Sequence, residues 1–296
     1  MTQVDAGMLS CRSMIAARAA GVIVVAMLTS ACARPAAPVQ VVALPPPGAA
    51  TGSEADLDGY PAALAAIVNV FDGALGLPRV DVKLMLFADR KSFEQGLAAI
   101  GYPPELARSA SSFAAIGGAR TVFVNAAIVN RFDRTRRVQL VAHELVHSLQ
   151  YQFSGGTRGA SEQWLREGFA EWVSFRATEH LGLASFETLR DDLLNPLSDV
   201  PFGTPPAPLD DLLTFPQWVD AQRRHDAPLY AQAFLAVELL IETHGVPDVV
   251  GYFERFRNTS AHGPAFTQSF GMERAAFGDL FVRRWHETLA QYRVRR

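Results

Sequence analysis

The chain has 296 residues, of which 49% are hydrophobic and 19% charged, and its formal net charge is −3 at pH 7. That length holds one large domain or two small ones, and the composition excludes wholesale disorder. Nothing in the net charge suggests a polyanion partner, so no nucleic-acid partner is expected. The basic runs "RFDRTRR" and "RVRR" read as solvated surface.

The N-terminus reads as an export leader. Arg12 and Arg18 precede the apolar "AAGVIVVAML", and the small residues "TSACA" follow. This order of charged, apolar and small segments is that of a signal peptide. The apolar run of about ten residues is shorter than the roughly twenty that span a bilayer. A start at Met8 or Met14 would give a more usual leader length. The chain's two cysteines, Cys11 and Cys32, both lie here, so no disulfide is available to the folded body. "LTSAC" resembles a bacterial lipoprotein cleavage box, with Thr29 where an aliphatic residue is usual. The resemblance implies a signal peptide over 1–32, lipid on Cys32 and a cell-envelope membrane as partner. Ordinary cleavage after Ala31 or Ala33, giving a periplasmic or secreted protein, is the alternative. Residues 33–56 are rich in Pro, Ala and Gly and read as a flexible tether.

The folded body is expected over 57–296. "YPAALAAIVNVFDGAL" has apolar residues at helical spacing, and "RVDVKLMLFA" alternates and then becomes continuously apolar, as a strand does. "DRKSFEQGLAAIG" reads as a helix with Asp89 or Ser92 as its N-cap. "GGARTVFVNA" reads as a second strand, opened by Gly117 and Gly118. Next comes a helix over 138–151. After it "EQWLREGFAEWVSFRATEHLG", "PLDDLL", "PLYAQAFLAVELLIETHG", "DVVGYFERFRN" and "AAFGDLFVRRWHETLAQY" all read as helix. Strands early and helices late predict an α+β fold, a small N-terminal sheet with helices followed by a mainly helical half. No internal repeat is present.

The helix over 138–151 carries "VAHELVHSLQ", with His143, Glu144 and His147 in the pattern H-E-x-x-H. At 100° per residue His147 falls about 40° from His143 and Glu144 about 100° from it. Val138, Val141, Leu145 and Leu149 lie on the opposite side. The helix is thus held by one face and presents two imidazoles on the other, the spacing that brings both to one ion. Core histidines would instead lie within the apolar stripe. Catalytic zinc typically takes three protein ligands and keeps one open position. Downstream, "WLREGFAEW" places Glu167 and, one turn on, Glu171 on a second predicted helix.

With H-E-x-x-H followed by this "W-L-x-E-G-x-A-E" pattern, the chain resembles the gluzincin metallopeptidases, the class of thermolysin and the zinc aminopeptidases. The resemblance implies a zincin-like fold over roughly 60–290, with one zinc ion between its halves. It implies that His143, His147 and Glu167 are the ligands and that Glu171 orients an imidazole, that of His143. It also implies that the strand in "RTVFVNA" forms the sheet edge along which peptide lies. "LYAQAFLAVELLIETHG" and "AFTQSFGMERAAFGDLFVRRW" look like the C-terminal half of bacterial peptidase-MA-like domains.

Glu144 can then face the attacking water without ligating metal and serve as general base. Related enzymes stabilise the oxyanion with a Tyr or His from the C-terminal half; Tyr230 is the candidate here, with a core tyrosine as its alternative. His225 and His244 are lesser candidates. His180, His262 and His286 read as surface or cap residues, and Trp164, Phe169 and Trp172 as core. The expected function is zinc-dependent hydrolysis of a peptide or protein substrate by an exported, membrane-tethered enzyme. The alternative is a zinc-binding envelope lipoprotein with a binding or assembly role. Substrate, cleavage preference and oligomeric state are not legible.

Overall fold

The computed structural model describes residues 40–43, 59–156, 161–224 and 228–294. The leader, Cys11, Cys32 and His225 lie outside the described residues. No described helix is long and apolar enough to cross a membrane.

The alternating "KLMLF" becomes strand β2, Lys83–Phe87, after helix α1, Tyr60–Gly73. Its two faces feed two cores. Leu84 and Leu86 join the main core, while Phe87 packs with Phe93 and Phe123 in a smaller one. Helix α2, Arg90–Ala99, starts at Asp89, whose side chain accepts from the Ser92 backbone N–H at 2.7 Å while the Ser92 hydroxyl accepts from the Asp89 N–H, a capping box.

The "GGARTVFVNA" segment differs from expectation. After helix α3, Pro104–Ala110, the chain forms a hairpin of strands β3, Ala115–Gly117, and β4, Thr121–Asn125. The Gly118 N–H donates to the Thr121 carbonyl at 2.9 Å and closes the turn. β3 is too short and too poor in branched residues to be read as a strand, yet it forms an edge. The sheet order, with β1 at Gln40–Ala43, is β1-β2-β4-β3. β4 runs parallel to β2 and antiparallel to β3, so it lies inside the sheet, and β3 is the edge on the motif side. β1 pairs antiparallel with β2, so four residues of the stretch read as tether belong to the sheet.

Short helix α4, Ala126–Val129, leads to α5, Arg134–Phe153, which carries the H-E-x-x-H motif. Its Asp133 cap accepts from the Arg136 N–H at 2.8 Å. α1 and α5 cover one face of the sheet and α2 the other. The following half is helical: α6, Gln163–His180; α7, Phe186–Leu194; α8, Phe215–Arg224; α9, Leu229–His244; α10, Val246–Arg255; α11, His262–Phe270; and α12, Arg274–Val294. "PLDDLL" forms a 3-10 turn over Leu209–Leu212 rather than an α-helix. The chain is therefore α+β, with a small mixed sheet of four strands among the described residues.

α6 is the hub, packed between α5 and α9. Gly168 permits this, because a Cβ there would meet the Ala233 carbonyl oxygen at 2.1 Å. Phe169, on the side of α6 away from Glu167, meets Phe253 at 5.4 Å between ring centroids, and Trp164 in the first turn stacks on Phe277 at 5.9 Å, so both ring contacts anchor α6. The side bearing Glu167 and Glu171 is left for α5.

Candidate metal centre

α5 turns its valine and leucine stripe into the main core, and the opposite stripe, running through Gln139, His143, His147 and Gln150, meets α6. The two helices run antiparallel, so residues on one face of each pair in reverse order. His143 and His147 stand one turn apart with ring centroids 4.9 Å apart and planes at 85°. Both Nε2 atoms converge on Glu167: His143 Nε2 lies 3.3 Å from one carboxylate oxygen and His147 Nε2 3.6 Å from the other. Donor atoms of the three residues lie within 4.8 Å of one another. Metal–nitrogen and metal–oxygen bonds near 2.0–2.1 Å in a tetrahedron place donors about 3.3 Å apart, so this group could hold one metal ion.

The imidazoles are held from behind. His143 Nδ1 lies 3.5 Å from Glu171 Oε1, and the other Glu171 oxygen accepts from Gln139 Nε2 at 3.3 Å. His147 Nδ1 lies 2.9 Å from Gln150 Oε1. Gln150 Nε2 donates to the Arg166 carbonyl at 2.8 Å, so its oxygen must accept and His147 Nδ1 must carry the proton. That leaves the Nε2 lone pair free. Gln163 Nε2 donates to Glu167 Oε1 at 2.6 Å. Amide side chains thus orient two donors directly and the third through Glu171. Gln150→Leu should free the His147 ring and weaken metal affinity roughly 10–100-fold. Competition against a chromophoric chelator measures this, and unchanged affinity would overturn the role given to Gln150.

Burial and mutual charge set the protonation pattern. Burial chiefly lowers His147 to about 4, with His143 and Arg166 adding to it. Burial pulls His143 down too, but Glu171, Glu167 and Glu144 outweigh it and hold His143 well above its ordinary value. Glu167 falls to about 2, because the two histidines outweigh its burial. Glu144 rises to about 7, chiefly through burial, with Glu167 and Glu171 adding; His143 and the Gly117 N–H oppose.

Glu144 is placed by β3. The Gly117 N–H donates to its carboxylate, and a Cβ at Gly117 would meet the Glu144 carbonyl at 2.4 Å and His147 Cβ at 2.8 Å. Only glycine lets the edge strand come this close. Ser148 Oγ donates to the Gly118 carbonyl at 2.6 Å and fastens the same approach.

Gly117, His143, Glu144, His147, Glu167 and Glu171 line a cleft of about 770 Å³. Tyr230, from the start of α9, reaches it with its ring 6.4 Å from that of His143. The Trp218 indole N–H donates to the Tyr230 hydroxyl and the rings meet at 5.2 Å. Burial, then Glu167, Glu171 and Glu144, raise Tyr230 well above its ordinary value, so it keeps its proton. His180, His244, His262 and His286 do not line the cleft. His244 packs on Phe270, and His262 Nδ1 lies 3.1 Å from the buried Glu162 carboxylate instead of capping at the surface.

Gln139 and Gln163 lie four residues before His143 and Glu167, and Gln150 three after His147, so helical spacing could have found them. Gly117 and Trp218 carry no such signal. No family model matches the chain, and no curated protein or solved structure matches it significantly.

Proposed function

We propose that this chain is a zinc-dependent peptidase of gluzincin type. The observation that carries the proposal is the convergence of both histidine Nε2 atoms on Glu167 in an open cleft, with a buried Glu144 beside them that is not among the donors. Two imidazole nitrogens and one carboxylate, with His–Glu separations of 3.3 and 3.6 Å, are a donor set suited to zinc, which displaces the His143 proton on binding, and a fourth position would face the cleft.

His143, His147 and Glu167 would hold the ion. Bound zinc supplies Lewis acidity, polarising the substrate carbonyl and making water a nucleophile at neutral pH. Glu144, raised to about 7, takes the proton of the attacking water and returns it to the leaving amine. Tyr230 accepts from Trp218, which leaves its own O–H to donate to the carbonyl oxygen as negative charge develops. The short edge strand β3, with residues 114–117 along the cleft, offers backbone groups to an extended peptide. Purified protein should hold about one zinc per chain and cleave an unstructured polypeptide, and a chelator should abolish cleavage until zinc is restored. Zinc-free protein from zinc-replete purification, or cleavage indifferent to chelator, would overturn the proposal.

Export and a lipid anchor at Cys32 belong to the same reading. Cys32→Ala should move the protein from the membrane fraction to the soluble one, because no described helix can hold it there. Unchanged fractionation would refute the anchor.

A further inference from the structure

One end of the cleft has a polarity that the metal chemistry does not use. Gln139 meets Glu171 where His147 meets Glu167, so moving along α5 from His147 towards Arg136 follows α6 from Glu167 towards Phe175. Phe175, Leu189, Leu193 and Pro196 make the lining here largely apolar. Arg136 also lines the cleft and is exposed. Its Nη1 donates to the neutral Gln139 oxygen at 2.8 Å, and among the described residues its guanidinium forms no ion pair with a carboxylate. Arg136 stands in the first turn of α5, which contains no acidic residue, and a cation there opposes the helix dipole. Helix stability therefore does not account for it.

Resting on the peptidase reading, we propose that Arg136 is a specificity-determining residue that takes a carboxylate of the substrate about three residues from the scissile bond. Arg136 lies seven positions before His143, roughly 10 Å at the helical rise of 1.5 Å per residue. An extended chain advances about 3.3 Å per residue, so a side chain three positions from the reacting carbonyl reaches the guanidinium. The positions between pass the apolar lining. A planar guanidinium pairs with a carboxylate in two parallel hydrogen bonds, stronger and more directional than an ammonium contact. The carboxylate can come from an acidic side chain or from a substrate's free C-terminus. Asp192, exposed on α7, lines the same cleft and forms no ion pair among the described residues, so it opposes an acidic group.

The test uses the full zinc-loaded protein and peptides that carry Asp, Asn or Lys at each position within four of the cleaved bond, each with a free or amidated C-terminus. At one position about three residues away, Asp should exceed Lys by roughly 3–10-fold in kcat/KM, carried by KM, as expected for a partly screened Arg–carboxylate pair. Dependence on the free C-terminus instead would assign the carboxylate to the chain end. Arg136→Glu should reverse the preference to Lys at equal zinc content, Arg136→Lys should keep a smaller preference, and Asp192→Asn should increase it. The same peptides are titrated by fluorescence anisotropy against zinc-loaded Glu144→Gln protein. Charge-dependent binding without any turnover by wild type would refute the peptidase reading while supporting the Arg136 subsite. Absence of a charge preference in both assays, or one that survives Arg136→Glu, would overturn the subsite.

Discussion

Glu144→Gln protein is expected to bind zinc as wild type does and to lose peptide hydrolysis by ~10²–10⁴-fold. Glu144 is not one of the three converging donors, so its charge is not needed to hold the ion. It is the buried carboxylate raised to about 7, within reach of a proton that must be taken and returned. The amide keeps the shape and the Gly117 N–H contact but has no basic oxygen. Zinc content by elemental analysis and turnover of an unstructured substrate, measured on one preparation, separate the two effects. Full activity of this variant would refute water activation by Glu144, and loss of zinc would make Glu144 a ligand.

The second large effect distinguishes Glu167 from Glu171. Both are buried on the same face of α6 and both touch His143, so proximity alone does not rank them. Their partners do. Glu167 faces the Nε2 atoms of both histidines, whereas Glu171 faces only the Nδ1 of His143 and is fastened by Gln139. Glu167→Gln should therefore lose zinc and activity together, since a neutral amide is a poor ligand for a dication. Glu171→Gln should weaken zinc binding or turnover only about 10–100-fold, the loss of an orienting contact. If Glu171→Gln strips the metal while Glu167→Gln keeps it, the donors are assigned one helical turn wrong.

Several features of this centre are visible in one dimension because they are local. A helix repeats every 3.6 residues, so His143 and His147, or Glu167 and Glu171, share a face wherever the helix goes. The Asp89 cap of α2 and the placing of strands early and helices late rest on the same short-range rules. The glutamines at helical spacing from the donors were equally accessible, but nothing local marks a glutamine as oriented until its partner is known.

What the amino-acid sequence determined by itself was the α+β class, the H-E-x-x-H face of α5, the glutamate pair on α6 and the separation of that face from the apolar stripe, each set by residues a few positions apart. Only the tertiary structure decided which strand meets the motif helix. The sheet edge is β3 and not the more strongly patterned β4, because edge position depends on pairing between distant segments, and a three-residue strand of small residues has too little pattern to announce itself. The approach of Gly117 to Glu144, the packing of Gly168 against Ala233 and the meeting of Trp218 with Tyr230 at the cleft were likewise decided there. Such contacts join segments whose separation along the chain carries no period, so they exist only once the core has brought α5, α6, α8, α9 and the sheet together.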